Sequence, residues 1–242
     1  MIKRTTLLFM AVFALAAGSA LADSPVKGPF AGTVHAVGNV TYKDGAKQTW
    51  NWDRGRITAL DSSSISLTRR DKVQVSFAIT SSTLVRNHGS SYQLSDLKAG
   101  LAATVISQNG NAVIIRSIRG EGAPGGADSS AIDGPAAMSL TGTVDALYVD
   151  GSTQSFTYDR GRITQLGNGS LTIKRADQST ATFSYDDSTL VRDKGDVESV
   201  SDLKVGEGAM FFSQNGALKL VRCIVQPKRN HPPTGLPASA AA

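Results

Sequence analysis

The chain contains one segment twice, and this internal repeat constrains the fold more than any other feature. Asp53-Arg54-Gly55-Arg56-Ile57-Thr58 returns as Asp159-Arg160-Gly161-Arg162-Ile163-Thr164. Three further motifs recur in the same order and at the same spacing: Thr83 to Arg86 with Thr189 to Arg192, Ser95 to Lys98 with Ser201 to Lys204, and Ser107 to Gly110 with Ser213 to Gly216. The constant register indicates two copies of one domain in tandem.

The first residues predict export. Lys3 and Arg4 precede an apolar stretch from Leu7 to Ala17 and a small-residue exit at Ala20-Leu21-Ala22, which is typical of a secretory signal peptide over residues 1–22. That stretch is too short to cross a bilayer as a helix, and no second apolar run reaches the required length of about 20 residues. We therefore expect a periplasmic or secreted protein without a membrane span.

The composition divides the rest of the chain. Residues 120–139 are rich in Gly, Pro and Ala, which predicts a flexible linker and independent orientations of the two copies. Residues 227–242 contain four prolines and no periodic apolar pattern, which predicts a disordered tail. This leaves the first repeat at residues 32–119 and the second repeat at residues 140–226.

Within each repeat the apolar residues recur with a period of two. Val73, Val75, Phe77 and Ile79 alternate with polar or small residues and predict a half-buried strand. Similar composition predicts further strands at Gly32 to Val37, Lys47 to Trp52, Ser63 to Arg69, Leu101 to Ser107 and Ala112 to Ile118. Asn109-Gly110 and Asn215-Gly216 predict tight hairpins between the last two strands of each repeat.

The segment from Ser95 to Gly100 has a different pattern. It predicts a single helical turn, with Leu97 inserted into the core and Gly100 ending the turn. A barrel satisfies the edges of a six-stranded sheet and buries its apolar face. The predicted fold is therefore all-β: two tandem small antiparallel β-barrels, each with one short helical turn, joined by a flexible linker. A β-sandwich is the alternative.

The order of these motifs resembles a family of exported bacterial domains of unknown function that often occur in tandem. The residues that carry the resemblance are Thr83 to Val85, Ser95 to Gly100 and Ala112 to Ile118, and then Thr189 to Val191, Ser201 to Gly206 and Leu218 to Ile224. The resemblance implies a small barrel similar to the oligonucleotide/oligosaccharide-binding (OB) fold and implies no catalytic residues. The first repeat departs from the family pattern at Leu101, where an acid such as Glu207 is common.

The two repeats carry opposite charge. Residues 32–119 contain 11 Lys or Arg against 5 acids, whereas residues 142–225 contain 9 against 11. The basic first repeat can attract the acidic second repeat, or it can have a polyanionic partner that the second repeat lacks. Divergence of the two surfaces after duplication is the third explanation.

The repeated Asp-Arg-Gly-Arg segment is the sharpest local motif. Its composition predicts a turn from which two guanidinium groups reach a carboxylate, sulfate or phosphate, and the aromatic pair before it is a platform for a sugar ring or a base. In the alternative interpretation the aromatics fill the core and the Asp-Arg pairs tie strands together. The candidate ligand-binding residues are Trp50, Trp52, Arg54, Arg56, Phe156, Tyr158, Arg160 and Arg162.

Arginine also recurs between the repeats at positions outside this motif, namely at Arg69/Arg175, Arg86/Arg192 and Arg116/Arg222. Within the segment from Asp53 to Arg119, only three acids recur: Asp53/Asp159, Asp71/Asp177 and Asp96/Asp202. At least two arginines in each repeat therefore lack a shared acidic partner, and such arginines are candidates to bind an anion.

No catalytic or metal-binding signature is present. His35, His88 and His231 lie apart in the sequence, and Cys223 is the only cysteine and is expected to pack as a small apolar residue. No serine motif of a hydrolase is found. We therefore expect a non-enzymatic binding or interaction protein of the cell envelope without a cofactor. The expected partner is an anionic polysaccharide or another polyanion, with nucleic acid less favoured. The alternative is a structural or assembly module that binds another envelope protein.

Overall fold

The computed structural model describes residues 28–87, 90–118, 138–193 and 196–224. The protein is all-β. The first repeat contains β1 (Thr33–Thr41), β2 (Lys47–Leu60), β3 (Ser64–Arg69), β4 (Gln74–Ala78), β5 (Leu84–Asn87), β6 (Ser90–Ser91), β7 (Ala102–Gln108) and β8 (Asn111–Ile118). The second contains β9 (Thr141–Tyr148), β10 (Thr153–Gly167), β11 (Ser170–Lys174), β12 (Thr180–Ser184), β13 (Leu190–Asp193), β14 (Asp196–Glu198), β15 (Gly208–Gln214) and β16 (Ala217–Cys223). The predicted signal peptide, tail and linker residues 120–137 lie outside the described residues.

Five strands of the first repeat form a closed barrel. β2 pairs with both β3 and β7, β3 pairs with β4, and β7 pairs with β8, all antiparallel. A single parallel contact between Ala78 of β4 and Asn111 of β8 closes the ring. The predicted closure is confirmed, although the sequence did not predict a parallel contact at the seam.

The strands of the second repeat pair in the same order. β10 pairs with β11 and β15, β11 with β12, and β15 with β16. Ser184 of β12 lies parallel to Ala217 of β16, as at the seam of the first repeat. In addition, β5 and β13 each run parallel to the last strand of their own repeat.

The predicted hairpins and helical turn are present. Asn109 and Asn215 have φ values of 50° and 51°, as a tight turn before glycine requires. A 3-10 turn covers Leu94–Asp96 in the first repeat, and Leu97 just after it is buried. The turn begins after Gln93, whose backbone N–H donates to Asp96 Oδ2.

Each repeat has its own apolar interior. The first is built around residues such as Ile57, Leu67 and Leu97, and the second around residues such as Ile163 and Phe211. Alternation along the strands places these side chains on the inner face of each repeat. The opposite face of the long strands therefore needs another partner.

The two repeats join into one continuous sheet. β1 pairs antiparallel with β9, from Thr33 opposite Tyr148 to Thr41 opposite Thr141. The prediction that the repeats orient independently is therefore wrong for this structure. Composition indicated a flexible connection, but each repeat begins with a strand whose free edge pairs with its counterpart.

The β1–β9 pairing has approximate two-fold symmetry. Gly38 lies opposite Val144, and these residues are separated by the same number of positions as the repeated Asp53 and Asp159. A pair of residues on one side of Gly38 and Val144 therefore has an equivalent pair on the other side, with the two repeats exchanged. The repeats associate in the way that two identical subunits do across a two-fold axis.

Candidate functional site

The repeated Asp-Arg-Gly-Arg segment lies within a strand, so its predicted turn is wrong. β2 runs through it without a break and pairs with β1 up to Asp53 and with β3 from Gly55. A Cβ on Gly55 would lie 2.5 Å from the carbonyl oxygen of Thr68. Glycine is therefore needed for close approach of two backbones where the strand changes partner.

The aspartate of the motif is buried in both repeats and forms an ion pair. Asp53 is 3% exposed and accepts hydrogen bonds from Arg69 Nη1 at 3.0 Å and His35 Nδ1 at 2.9 Å. Asp159 is 2% exposed, and Arg175 Nη2 lies 2.6 Å from its Oδ1. These recurring pairs tie neighbouring strands together, as the structural interpretation of the motif predicts.

The second arginine of the motif also has a structural contact. Arg56 Nη1 donates to the carbonyl oxygen of Gly100 at 3.0 Å, and Arg162 donates to that of Gly206. Gly100 follows the 3-10 turn of the first repeat, and Gly206 follows the equivalent turn at Val200–Asp202, so each bond joins the long strand to the loop after that turn. Both side chains are exposed, so these bonds lie at the surface.

The four candidate aromatics are buried between the repeats. Trp50, Trp52, Phe156 and Tyr158 are 3%, 5%, 2% and 0% exposed. They belong to one apolar cluster that contains residues of both repeats, which we call the shared core. Accessible rings would have favoured a ligand platform, and burial instead favours a structural role.

The residues before β1 complete the shared core. The Phe30 ring lies 4.9 Å from that of Phe156 and 5.0 Å from that of Phe212, and Tyr148 Oη donates to the carbonyl oxygen of Pro29. Trp50 Nε1 donates to Tyr42 Oη at 3.1 Å. Trp52 Nε1 has no hydrogen-bond partner among the described residues.

Beside the shared core, three arginines of the first repeat align across four strands. Arg54 lies opposite Thr104, Thr104 opposite Arg116, and Arg116 beside Arg86. Directly paired residues project from the same face of a sheet, and neighbouring strands are about 4.8 Å apart. We call Arg54, Thr104, Arg116 and Arg86 the basic row; all four are half-buried.

The second repeat has the equivalent row, but its surroundings differ. Its members are Arg160, Met210, Arg222 and Arg192. Arg160 Nη1 contacts Met138 Sδ at 3.6 Å. Burial raises the pKa of the nearby Cys223 thiol to about 11, and the carboxylates of Glu207, Asp193 and Glu198 contribute to the increase. Cys223 packs against the interior of the second repeat, so these acids lie near the interior, whereas the row projects from the opposite face of the strands.

The positions of Glu207, Asp193 and Glu198 carry neutral residues in the first repeat. The constant register of the repeats places Leu101, Asn87 and Tyr92 there. The first repeat therefore lacks these three carboxylates. Like charges at directly paired positions destabilise a sheet, and Arg116 and Arg86 occupy such positions.

The recurrence of these arginines is visible in the sequence, but their grouping on one face of the sheet is not. Arg54 was a named candidate, and Arg86 and Arg116 were among the recurring arginines of which at least two were expected to bind an anion. Thr104 was not predicted. The row depends on the register of strands that are far apart in the sequence. Strand alternation alone indicates that Arg116 shares a face with Ile114, but it does not indicate the neighbours of Arg116 in other strands.

Other chemistry is limited in the part of the chain that the structure describes. His35 contacts Asp53, and no group of three or more His, Cys, Asp or Glu side chains could hold a metal ion there. No described helix is long and apolar enough to cross a membrane.

Comparison with known protein families, with curated proteins and with solved structures gave no match. The resemblance to an exported tandem family therefore stays a prediction, while the closed barrel that it implies is present.

Proposed function

We propose that the protein is a non-enzymatic binding protein of the cell envelope that recognises an anionic glycan or another polyanion. In this proposal the signal peptide over residues 1–22 directs export, and each repeat is an OB-like barrel. The first repeat provides the anion-binding surface, and the second serves mainly as its structural partner.

The basic row of the first repeat carries the proposal. A guanidinium group carries a planar set of donors that matches carboxylate or sulfate. The Arg86 side chain is half-buried and makes no hydrogen bond or ion pair with the described residues. Thr104 contributes a hydroxyl between Arg54 and Arg116. Arginines at strand spacing favour a ligand with several anionic groups over one with a single charge.

Burial of the candidate aromatics favours the second candidate function, a structural module that binds another envelope protein. The four candidate aromatics fill the shared core and cannot stack on a sugar unless the shared core opens; they are Trp50, Trp52, Phe156 and Tyr158. This changes the binding surface from an aromatic platform to a charged one. An assembly module requires no polyanion, so the two candidates predict different behaviour on a charged matrix.

Chromatography of the full exported chain on immobilised dextran sulfate and polygalacturonate tests the proposal. We expect retention that decreases steeply with salt, since exposed ionic contacts are screened. Arg86→Gln/Arg116→Gln should elute at clearly lower salt than the wild type. Arg192→Gln/Arg222→Gln removes the same two charges from the second repeat and is the matched control.

Absence of retention would contradict the proposal. Equal loss in both double variants would also contradict it, because retention would then follow net charge rather than the first basic row. An unretained protein that forms a defined crosslinked complex in the envelope would favour the assembly module.

A further inference from the structure

A cleft lies at one end of the basic row in the first repeat. It has a volume of about 430 Å³ and is lined by residues that include Thr80, Ser81, Arg86, Tyr92 and Gln93. This volume falls within the range of small-molecule sites, about 300–1,000 Å³. The lining residues carry one positive charge and no negative charge.

The wall of the cleft is fixed by hydrogen bonds. Thr83 Oγ1 donates to the carbonyl oxygen of Ala112 at 2.7 Å, and the Thr80 N–H donates to Thr83 Oγ1 at 3.0 Å. The Tyr92 N–H donates to the carbonyl oxygen of Val85 at 3.1 Å. Hydroxyl, amide and aromatic side chains are therefore arranged around Arg86 on an ordered backbone.

The second repeat keeps this backbone arrangement, but the side chains at the equivalent positions are acidic. The Asp186 N–H donates to Thr189 Oγ1, which donates to the carbonyl oxygen of Leu218, as at Thr80 and Thr83. The positions of Thr80, Ser81 and Tyr92 are occupied by Asp186, Asp187 and Glu198. An anion that suits the first cleft would meet three carboxylates at the equivalent place.

The apolar part of the cleft differs as well. Leu84 is 46% exposed and lines the cleft, whereas its counterpart Leu190 is 7% exposed and belongs to the shared core. The first repeat therefore presents an apolar side chain beside Arg86 and Tyr92. Sugar rings combine an apolar face with hydroxyl groups, and the combination of Leu84, Tyr92 and Gln93 matches both.

We propose that this cleft binds one sugar-acid residue, with its carboxylate on Arg86 and its hydroxyls on Thr80, Ser81 and Gln93. The inference rests on the proposed function and specifies it: the cleft binds a single residue of an anionic glycan, and the basic row binds the residues that follow. A uronic acid has both groups that the cleft requires. Neutral hexoses lack the anion, and inorganic sulfate lacks the ring.

Titration of the isotope-labelled full chain with D-galacturonate, observed through its backbone amide resonances, tests the inference. We expect saturable shifts of the amides from Thr80 to Thr83 and of Gln93, with D-glucose and sulfate binding at least about tenfold more weakly. Arg86→Gln should weaken galacturonate binding at least about tenfold, as expected for loss of a charge-assisted hydrogen bond.

Thr80→Asp/Tyr92→Glu introduces the residues that the second repeat carries at these positions, so the backbone should retain its fold. We expect this variant to lose galacturonate binding. Gln165→Glu/Gln154→Glu adds the same two charges to exposed positions of the second repeat and should leave binding unchanged.

Equal binding of glucose, shifts that lie outside the cleft, or unchanged affinity in Arg86→Gln would each overturn the inference. Failure here is distinct from failure of the proposed function. If galacturonate does not bind but Arg86→Gln/Arg116→Gln still weakens polymer retention selectively, the cleft assignment is wrong and the polyanion surface stands. If neither polymer nor sugar acid binds, both are wrong.

Discussion

The two repeats stabilise the same buried carboxylate with different partners. In the first repeat, Asp53 contacts both Arg69 and His35, and Arg69 is shared with Asp71. In the second repeat, Thr141 takes the position of His35 opposite the aspartate, and Arg175 alone supplies a positive charge to Asp159 among the described residues. The two repeats therefore share the buried acid and differ in the residues around it.

The largest expected effect tests this difference. Arg175→Met leaves Asp159 buried without a cation and should lower the free energy of unfolding by about 3–5 kcal/mol. Arg69→Met should cost less, because His35 stays beside Asp53. Urea unfolding of the two variants measures both values. An equal or larger loss for Arg69→Met would contradict the proposed role of His35.

The loss in Arg175→Met should also depend on pH. Burial raises the pKa of Asp159, with Arg175 opposing the increase. A carboxyl whose pKa is higher in the folded protein than in the unfolded chain gains protons on folding, so stability increases as the pH decreases through the folded pKa. The deficit of Arg175→Met should therefore be smaller at pH 4 than at pH 7.

An intermediate effect concerns the strands that join the repeats. A Cβ on Gly142 would lie 2.2 Å from the carbonyl oxygen of Asn39, and backbone atoms cannot move aside easily. Gly142→Ala should disrupt the β1–β9 pairing and cost about 1–3 kcal/mol. Both tryptophans lie in the shared core, so their fluorescence should shift to longer wavelength.

Gly167→Ala is the control for this change. Its Cβ would lie 3.3 Å from Ser170 Oγ, a side-chain atom that can adjust. Unchanged tryptophan emission in Gly142→Ala would show that the shared core does not depend on the strand pairing.

The smallest expected effect concerns the turn after the long strand, which the two repeats form with different residues. Between β2 and β3, Asp61 accepts hydrogen bonds from the hydroxyl and backbone N–H of Ser63 and likewise from Ser64, which lower its pKa to about 2. The second repeat has Gly167 at this position and uses Gly169, with φ of 76°, to make the turn. The first turn should therefore be sensitive to acid, unlike the second.

The direction of the pH effect on stability follows from the lowered pKa of Asp61. Ionised Asp61 stabilises the folded protein at pH values above about 4, the ordinary value for aspartate, and this contribution is lost as the pH decreases toward 2. Asp61→Asn should therefore weaken the decrease in melting temperature between pH 4 and pH 2. Asp187→Asn removes an exposed carboxylate and is the control. Parallel profiles for Asp61→Asn and the wild type would contradict the assignment.

Local patterns predicted much of the fold. Alternation located the strands, Asn-Gly located the hairpins, and Leu97 was expected in the core, because each depends on residues that are close in sequence. Asp-Arg-Gly-Arg was predicted as a turn since Asp and Gly favour turns. Its glycine is required instead by the approach of Thr68 from another strand, which local composition does not reveal.

The candidate site was less accessible to prediction. The aromatic pairs alternate in the same way whether they face a ligand, a barrel interior or a second domain, so alternation alone cannot separate these cases. The basic row requires the pairing of β2, β7, β8 and β5, which join residues 54, 104, 116 and 86. Recurrence between repeats identified the arginines, and only the register of the strands brought them together.

The two-fold register of β1 and β9 has a consequence for how the protein responds to dilution. Two separate subunits that associate through such strands come apart when their concentration falls below the dissociation constant. Here both strands belong to one polypeptide, and the effective concentration of each toward the other is set by the connecting chain. The contact therefore persists however few molecules are present.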